Sequence, residues 1–548
     1  MRTEDRLLDP DTQSGAPIRG LARGFGSLAL ALAPSLLAIL FHSGFTTQDG
    51  PAHVYSARIL NASLMGNSPF AATFRVAWDP LPNWAGHLAT MTAVAIWTPE
   101  VANRVVAAAT LVVMGSAVVW LRWVVAGRAG IEVAAVLAAL LALNVTWLLG
   151  FTSFLLGASV AALTLAFWWS GRGRFRVGRS VGIGGLLIVG YFCHPVSLGL
   201  TLGGLAALVI FTPGTDRLVR AGWTGLSAVP LGPLAATYWV MTRSGGGLEL
   251  AWKHWSPSVA GIASQFGWVD PLSLAAKTAA PFQFRLGMVP VPALAPAVWV
   301  GVGLAALIAL TWSRRDRDRL GWLVMAGGGI VCGLVAPDTL GVRHGHFLPQ
   351  RIVLLGLVAL VPWLNLSWSR IGVRLAAGIL GGALMIQSAF VWEYARTCHE
   401  QVTPFLRVTA RFEPGTRSGT LLNAIRGRFR ANPLLHADGL LAAATDSIFW
   451  TNYETAQYYF PVKVRADVAH PLATRFEQVA VLDEPRDAAR RGELWRTLLR
   501  DHAAQLDQIV EWRADPDLDA GTDRQYHVTY QEGPIRVWSR LGGTRPKD

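Results

Sequence analysis

Long apolar runs dominate the chain up to residue 392. Several continue for roughly 18 residues or more with few charges, which is the length a helix needs to cross a bilayer. They predict about eleven membrane-spanning helices. These lie at residues 24–42, 101–120, 131–148, 151–169, 222–241, 292–312, 320–336, 352–366 and 375–392, with two more inside 181–211. Run 181–211 is too long for one span, and His194-Pro195 in its middle predicts a turn between two short helices.

Polar segments divide these runs into regions. Residues 1–23 form a polar, basic N-terminal tail, and residues 43–100 form a long loop after the first run. Within that loop, residues 83–97 are apolar but short for a span, and prolines bound them. This pattern predicts a helix that lies at the membrane interface. Residues 24–392 are therefore interpreted as a transmembrane domain that contains one long loop.

The pattern changes after residue 392. Residues 393–548 have an ordinary density of charges, and their number, about 155, is typical of one soluble domain. Short strand-like runs occur at 419–424, 478–482, 507–512, 527–530 and 535–539, and a helical stretch occurs at 486–506. The predicted fold class is a mainly α, polytopic membrane protein with a small C-terminal α/β external domain.

Composition supports the membrane assignment. Of the 548 residues, 52% are hydrophobic and only 15% are charged, whereas a soluble chain has about 25% charged residues. The net charge of +13 would suggest nucleic acid as a partner if it formed one patch. The arginines instead form short clusters between apolar runs, so we expect membrane lipids and no nucleic acid as partners. Three distant cysteines, Cys193, Cys332 and Cys398, have no metal-site spacing.

The arginine clusters also predict the orientation of the chain. With the N-terminus in the cytoplasm, every inner loop contains arginine, and the short outer turns around Asn144 and His194 contain no Lys or Arg. This distribution follows the positive-inside rule. The first loop and residues 393–548 then lie outside. The Arg- and Ala-rich composition suggests a bacterial inner membrane, with the C-terminal domain periplasmic or extracellular.

Asp49 is the first candidate for catalysis. It follows the first span directly, and Gly50-Pro51 after it predicts the start of a helix, because proline is favoured in the first helical turn. His53 comes four residues later and would share a helix face with Asp49. The alternative interpretation is a solvated or helix-capping carboxylate. Capping and catalysis do not exclude each other.

Three stretches of the first loop resemble a known family. They are Asp49 with the helical stretch 51–58 after it, Asp79-Pro80-Leu81-Pro82-Asn83-Trp84, and Pro99-Glu100-Val101-Ala102-Asn103-Arg104-Val105. They are similar to the first external loop of the C-type (GT-C) superfamily of integral-membrane glycosyltransferases, which includes the protein O-mannosyltransferases and the aminoarabinose transferases of lipid A. About eleven spans followed by an external domain also match that family's plan.

The resemblance implies an inverting glycosyltransferase in which Asp49 is the general base. Asp49 would take a proton from an acceptor hydroxyl or amine as the acceptor attacks the anomeric carbon of a polyprenyl-phosphate sugar. The acceptor would be a lipid, a glycan or a protein. A base must lie within hydrogen-bond reach of the proton that it takes, and a hydrophobic surrounding would raise its pKa toward neutrality.

Two departures from the family pattern bear on cofactors. The family often has a second acid beside the loop aspartate, where this chain has Gly50. Some members carry another acid in the turn between the third and fourth spans, but residues 144–150 contain none here. We therefore expect Asp49 to act alone and without a cofactor, since the pattern gives no support for a divalent metal.

Cations would offset the charge of the phosphate leaving group. Basic residues that lie outside, against the positive-inside trend, favour an anionic ligand. The predicted substrate- and phosphate-binding residues are His53, Arg58, His194, Lys253, His254, Arg343, His344, His346 and Arg351. Structural interpretations stay open for several of them: Arg351 as a residue that extends to the interface, Trp252 and Trp255 as an aromatic belt around Lys253-His254, and His194 as a turn residue.

An aromatic patch stands out in the C-terminal domain. It consists of Tyr453-Glu454 and Tyr458-Tyr459-Phe460-Pro461. Aromatic faces stack on sugar rings, but packing in a core is the simpler interpretation and the one we favour at this point.

Two other classes of function compete with the enzyme. A transporter or flippase of a lipid-linked saccharide would show internal repeats and charges in the middle of the bilayer. Here the spans are poor in charge, and polar residues gather at the outer ends. A non-catalytic glycan-assembly protein would keep the external domain but would not need the base. A long first loop that carries a carboxylate favours the enzyme.

Overall fold

The computed structural model describes residues 16–66, 69–173, 175–244, 319–336, 347–364, 370–423, 431–471, 479 and 488–542. Helices predominate in these residues, in agreement with a mainly α membrane protein. Up to residue 408 the helices are α1 (Ala16–Phe41), α2 (Gly50–Leu64), α3 (Trp84–Ile96), α4 (Pro99–Ala126), α5 (Ile131–Ala142), α6 (Val145–Leu148), α7 (Thr152–Ser170), α8 (Val177–Cys193), α9 (Pro195–Phe211), α10 (Arg217–Ala228), α11 (Leu231–Ser244), α12 (Leu320–Val335), α13 (Leu348–Trp363) and α14 (Arg370–Val408).

Apolar helices form the larger part of the molecule. Among the described residues, α1, α4, α7 and α14 are long and apolar enough to cross a membrane by length and composition. Helices α5, α8, α9, α12 and α13 are apolar but shorter. They share one hydrophobic core, which contains fully buried Trp168 and Trp322. These helices support an integral membrane protein, whereas the count of spans stays a prediction.

Prolines set the helix breaks in this region. Helix α8 ends at Cys193 and α9 begins at Pro195, which confirms the predicted turn inside 181–211. The prediction of one helix over 222–241 is wrong, because α10 and α11 break at Val229-Pro230. Proline lacks the N–H that continues the helical ladder and clashes with the preceding turn. The predicted span 292–312 lies outside the described residues.

Two helices end at residues that differ from the predicted ends of their spans. Helix α5 ends at Ala142, and Asn144 caps the short helix α6 by accepting from the backbone N–H of Thr146 and Trp147. The last helix, α14, continues past residue 392 to Val408. It therefore joins the membrane region to the C-terminal domain without a linker.

The C-terminal domain contains a five-stranded mixed sheet, as the α/β prediction requires. Its strand order is β3-β2-β5-β7-β6, with β2 parallel to β3 and β5, and β7 antiparallel to β5 and β6. The strands are β2 (Arg417–Leu422), β3 (Ile448–Phe449), β5 (Gln508–Trp512), β6 (Tyr526–Glu532) and β7 (Ile535–Arg540). The helices are α15 (Asp438–Thr445), α16 (Ala488–His502) and α17 (Pro516–Thr522). Predicted strand 478–482 lies outside the described residues except for residue 479.

The first loop packs against the C-terminal domain. Strand β1 (Phe74–Val76) of the loop pairs antiparallel with β4 (Val462–Val464) of the domain. The apolar face of α2 lies in a second hydrophobic core together with the sheet and α15. The hydroxyl of Tyr55 in this core donates to the carbonyl of Ser447 at 2.8 Å. Loop and domain therefore form one packed unit, and the candidate site lies inside it.

Candidate active site between the first loop and the C-terminal domain

A cluster of polar side chains lies where α2, α3 and the C-terminal domain meet. Its members, here named the junction cluster, are buried or half-buried: Asp49, His53, His87, His436, Tyr453 and Glu454. The first two come from the start of α2, His87 comes from α3, and the other three come from the C-terminal domain. Buried ionisable groups gathered in one place are a mark of functional sites.

The backbone of Asp49 is fixed by a close approach to the turn after α6. Its N–H donates to the carbonyl of Leu149 at 3.1 Å, and the N–H of Gln48 donates to Leu148 at 2.9 Å. Gly150 has a φ of +86°, and a Cβ there would come within 3.0 Å of the Asp49 nitrogen. Glycine satisfies both demands, because it has no Cβ and adopts positive φ without strain.

The Asp49 side chain faces the cluster rather than the helix end. Asp49 occupies the N-cap position of α2, but its side chain makes no capping hydrogen bond. Its Oδ1 accepts from Nε2 of Gln48 at 3.4 Å and lies 3.8 Å from Nε2 of His436. The His436 ring stacks on Tyr453, with 4.6 Å between ring centroids. A role limited to capping therefore does not account for this carboxylate.

Burial changes the proton affinity of Asp49. It raises the pKa of the carboxyl to about 6, although the neighbouring charge of His53 limits the rise. The charge of Glu454 adds to it. A carboxyl group whose pKa lies near neutrality can exchange protons with a substrate at ambient pH, as general acid–base catalysis requires.

Glu454 is a second carboxylate in the cluster, on the 3₁₀-helix Tyr453–Ala456. Its Oε1 contacts Nδ1 of His53, and its Oε2 accepts from the hydroxyl of Ser56. The side chain of Asn452 accepts from the Glu454 N–H at 3.2 Å. Burial alone would raise the pKa of Glu454, but the charge of His53 and the hydrogen bonds from His53 and Ser56 outweigh it and lower that pKa to about 2. The pKa of His53 is raised by Glu454 despite burial.

His87 stands beside this pair with its hydrogen-bonding capacity unused. Its side chain is 2% exposed, and burial lowers its pKa to about 4, so the imidazole is neutral at pH 7. Its Nε2 lies 4.0 Å from Oε2 of Glu454, which is too far for a hydrogen bond. Its Nδ1 has no partner among the described residues. Phe460 packs edge-on against the His87 ring, with 5.4 Å between centroids.

A buried arginine lies on the membrane side of the cluster. Arg351 is in the first turns of α13, and its Nη1 lies 2.8 Å from Nε2 of His194. Its guanidinium covers the ring of Phe151 at 4.3 Å. Its Nε has no hydrogen-bond partner, and no carboxylate in the described part of the chain forms an ion pair with it. The charge of Asp49 acts on it favourably at longer range.

The structure brings together some of the residues predicted from sequence. Asp49 and His53 share the junction cluster, and His194 contacts Arg351. The Nδ1 of His194 also accepts from the backbone N–H of Val196 at 3.1 Å and so caps α9. Arg58 is instead engaged in a two-bond ion pair with Asp446, at 2.8 and 2.9 Å. The other predicted residues, Lys253, His254, Arg343, His344 and His346, lie outside the described residues.

Sequence reasoning missed the other four members of the cluster. Tyr453 and Glu454 were noticed only within an aromatic patch assigned to core packing. His87 lies in an apolar helix, and His436 lies in a stretch without any motif. The contact between His53 and Glu454 joins positions 401 residues apart, so no local pattern indicates it. The one available signal was a glutamate next to an asparagine and a tyrosine in an otherwise apolar segment.

Comparisons with known proteins extend this picture at the level of the fold. No protein-family model matches the chain, and no curated protein sequence matches it. Among solved structures, ArnT from Cupriavidus metallidurans in the apo state is similar with a TM-score of 0.50 and 12% identity, over 94% of this chain and 97% of that chain. The predicted resemblance is thus confirmed at the level of the fold, which the chain shares with ArnT.

Two further structures are similar to a lower degree. The arabinofuranosyltransferase AftD from Mycobacteria has a TM-score of 0.46 and 15% identity, over 94% of this chain and 40% of that chain. The oligosaccharyltransferase AglB from Archaeoglobus fulgidus, in complex with an inhibitory peptide and a dolichol-phosphate, has a TM-score of 0.46 and 11% identity, over 96% and 75% of the two chains.

Proposed function

We propose that the chain is an integral-membrane glycosyltransferase. It moves a sugar from a polyprenyl-phosphate donor to a hydroxyl or amine acceptor, with inversion at the anomeric carbon. One observation carries this proposal: the buried carboxylate Asp49 packs against Gly150, whose neighbour Phe151 lies under the buried guanidinium of Arg351, and this guanidinium has no carboxylate partner among the described residues. The GT-C fold is consistent with it.

Asp49 acts as the general base. Its carboxylate accepts the proton of the acceptor O–H or N–H while the acceptor forms a bond to the anomeric carbon. The bond between that carbon and the phosphate oxygen breaks, and the polyprenyl phosphate leaves with the electron pair. A pKa of about 6 leaves Asp49 mostly ionised at pH 7 and makes it a stronger base than an ordinary carboxylate.

Arg351 binds the phosphate of the donor. A buried guanidinium without a counter-charge costs free energy, and an anionic ligand removes this cost by forming charge-assisted hydrogen bonds. Nε2 of His194 lies 2.8 Å from Nη1 on one side of the guanidinium, and Phe151 covers its face. Its Nε, which has no partner among the described residues, is left for a phosphate oxygen.

We place this chemistry at the outer face of a bacterial inner membrane. The arginine-rich inner loops predict that the first loop and the C-terminal domain share the non-cytoplasmic side. Labelling of single cysteines at exposed Asp79 and exposed Arg500 with an impermeant maleimide tests this. Both sites should react from outside in intact cells, and reaction of the two from opposite sides would contradict the topology.

The catalytic assignment is tested by Asp49→Asn in purified, lipid-reconstituted protein. The assay offers a panel of undecaprenyl-phosphate-linked sugars together with lipid, glycan and protein acceptors, and it measures the release of undecaprenyl phosphate. We expect a loss of about 10²–10⁴-fold, the range for removal of a general base. Asp79→Asn is the matched control, since Asp79 is an exposed acid of the same loop, and it should keep wild-type turnover. Full activity of Asp49→Asn would show that Asp49 is not the base.

A further inference from the structure

Three metal-ligating side chains of the junction cluster converge from three separate elements. His53 comes from α2, His87 from α3 and Glu454 from the 3₁₀-helix of the C-terminal domain. One ligand atom of each lies within 4.8 Å of the others. All three are buried or half-buried, so the group is not a solvated surface cluster.

The hydrogen bonds of His53 leave a lone pair pointing at a carboxylate. Its Nε2 lies 3.2 Å from the carbonyl of Gly150, which can only accept, so Nε2 carries a proton. The other nitrogen, Nδ1, contacts Oε1 of Glu454. Two electron-rich atoms in contact need a cation between or beside them, either a second proton on His53 or a metal ion.

His87 favours the metal ion. A second proton on His53 would satisfy Glu454 but would leave the buried Nδ1 of His87 without a hydrogen-bond partner among the described residues. Leaving such a group unsatisfied costs about 1–3 kcal/mol. An ion bound beside Glu454 would use a nitrogen lone pair of His87 and account for all three side chains at once.

We propose that His53, His87 and Glu454 bind one divalent transition-metal ion, with Zn²⁺ the best fit to the ligands. Two imidazoles and one carboxylate form a known zinc ligand set that leaves a fourth position open, and hard ions such as Mg²⁺ prefer oxygen ligands. Zinc bonds of about 2.0–2.2 Å place tetrahedral ligand atoms roughly 3.3 Å apart. The 4.0 Å between His87 and Glu454 therefore closes with a small side-chain movement.

The surrounding residues already hold the ligands as metal sites require. Gly150 fixes the tautomer of His53, and Ser56 donates to the second oxygen of Glu454. Such outer partners orient metal ligands and tune their affinity. The ion would clamp α2 and α3 to the C-terminal domain next to Asp49. Gly50 and residues 144–150 leave the first loop without the acids of the family pattern, and the carboxylate ligand of the proposed ion comes instead from Glu454 of the C-terminal domain.

Metal content of the purified full-length protein tests the proposal without any transfer assay, so its failure would leave the proposed glycosyl transfer untouched. The protein is stripped with a chelator, loaded with Zn²⁺ or Co²⁺, and freed of excess metal. We expect one Zn²⁺ per chain, a visible absorption band of tetrahedral Co²⁺, and a lower Tm after stripping. His87→Gln and Glu454→Gln should weaken binding at least about 100-fold.

His436→Gln is the matched control, because His436 lies in the same cluster but outside the ligand set, and it should bind metal as the wild type does. Size-exclusion profiles of all variants verify the fold. Two results would overturn the proposal: wild-type protein that binds no metal after loading, which would identify the contact as a protonated His53 with Glu454, or undiminished binding by both ligand variants.

Discussion

Replacing Asp49 by asparagine should make the protein more stable while it abolishes transfer. The carboxyl pKa is raised from 3.8 to about 6 in the folded protein, chiefly by burial. At about 1.4 kcal/mol for each tenfold change in proton affinity, this difference corresponds to about 3 kcal/mol. The folded protein bears this cost whenever Asp49 is ionised, and the neutral amide of asparagine removes it.

The pH dependence gives the effect a distinctive sign. A pKa that is raised in the folded state means that the folded protein binds more protons than the unfolded chain over that range. The stabilisation from protonated Asp49 is therefore complete below about pH 4 and is lost as the pH rises through about 6. Asp49→Asn should match the wild type at pH 4 and exceed it by about 3 kcal/mol at pH 8.

Thermal unfolding followed by tryptophan fluorescence measures this difference between pH 4 and 8. The buffers should contain a chelator, so that no bound metal changes the charge near Asp49. For a cooperative unit of 150–250 residues, about 3 kcal/mol corresponds to roughly 6–12 °C in Tm. Asp79→Asn, at an exposed position, should shift Tm little at any pH. A variant that melts below the wild type at pH 8, or a gap independent of pH, would refute the reasoning.

Two further substitutions test the neighbouring contacts. Arg351→Gln should weaken binding of undecaprenyl phosphate about 10–100-fold in a titration, since a hydrogen bond to a charged group contributes about 1.5–3 kcal/mol. The control, Arg396→Gln at an exposed arginine, should leave this binding unchanged. Equal effects of the two substitutions would contradict a phosphate site at Arg351. Gly439→Ala would place a Cβ 2.4 Å from the Pro51 carbonyl oxygen; the overpacking should cost about 1–3 kcal/mol of stability and lower the Tm. Gly222→Ala is the control, because a Cβ at Gly222 would meet no atom within 4 Å. An unchanged Tm for Gly439→Ala would contradict the prediction.

Elements with a strong local signal could be predicted from the sequence. The apolar segment between prolines at 83–97 is helix α3. Pro195 is the first residue of α9, in agreement with the turn predicted at His194-Pro195. Strands β5, β6 and β7 fall on the predicted runs because alternation and β-branched residues are local properties. The helix break at Pro230 was not predicted, because the apolar run continues on both sides of the proline and indicated one span.

Only part of the candidate site could be predicted from the sequence. Asp49 and His53 are four residues apart, so helical periodicity alone places them together. Their partners come from the C-terminal domain, and the pairing depends on how β1 meets β4 and how α2 packs on α15. For Arg58, the charge suggested a phosphate ligand, whereas in the structure its side chain pairs with Asp446, 388 residues away along the chain.

The C-terminal domain therefore sets the chemistry of Asp49 rather than merely covering it. Burial is the largest cause of the raised pKa, and His436 and Tyr453, which belong to the domain, lie beside the carboxylate. A loop without the domain would expose Asp49 to water, and its pKa would fall back toward 3.8 because desolvation would be lost. It would also lose Glu454, and with it the contact that fixes His53 one helical turn from the base. Basicity at residue 49 is thus a property of the assembled junction, in which the Arg58–Asp446 ion pair and the pairing of β1 with β4 connect the loop to the domain.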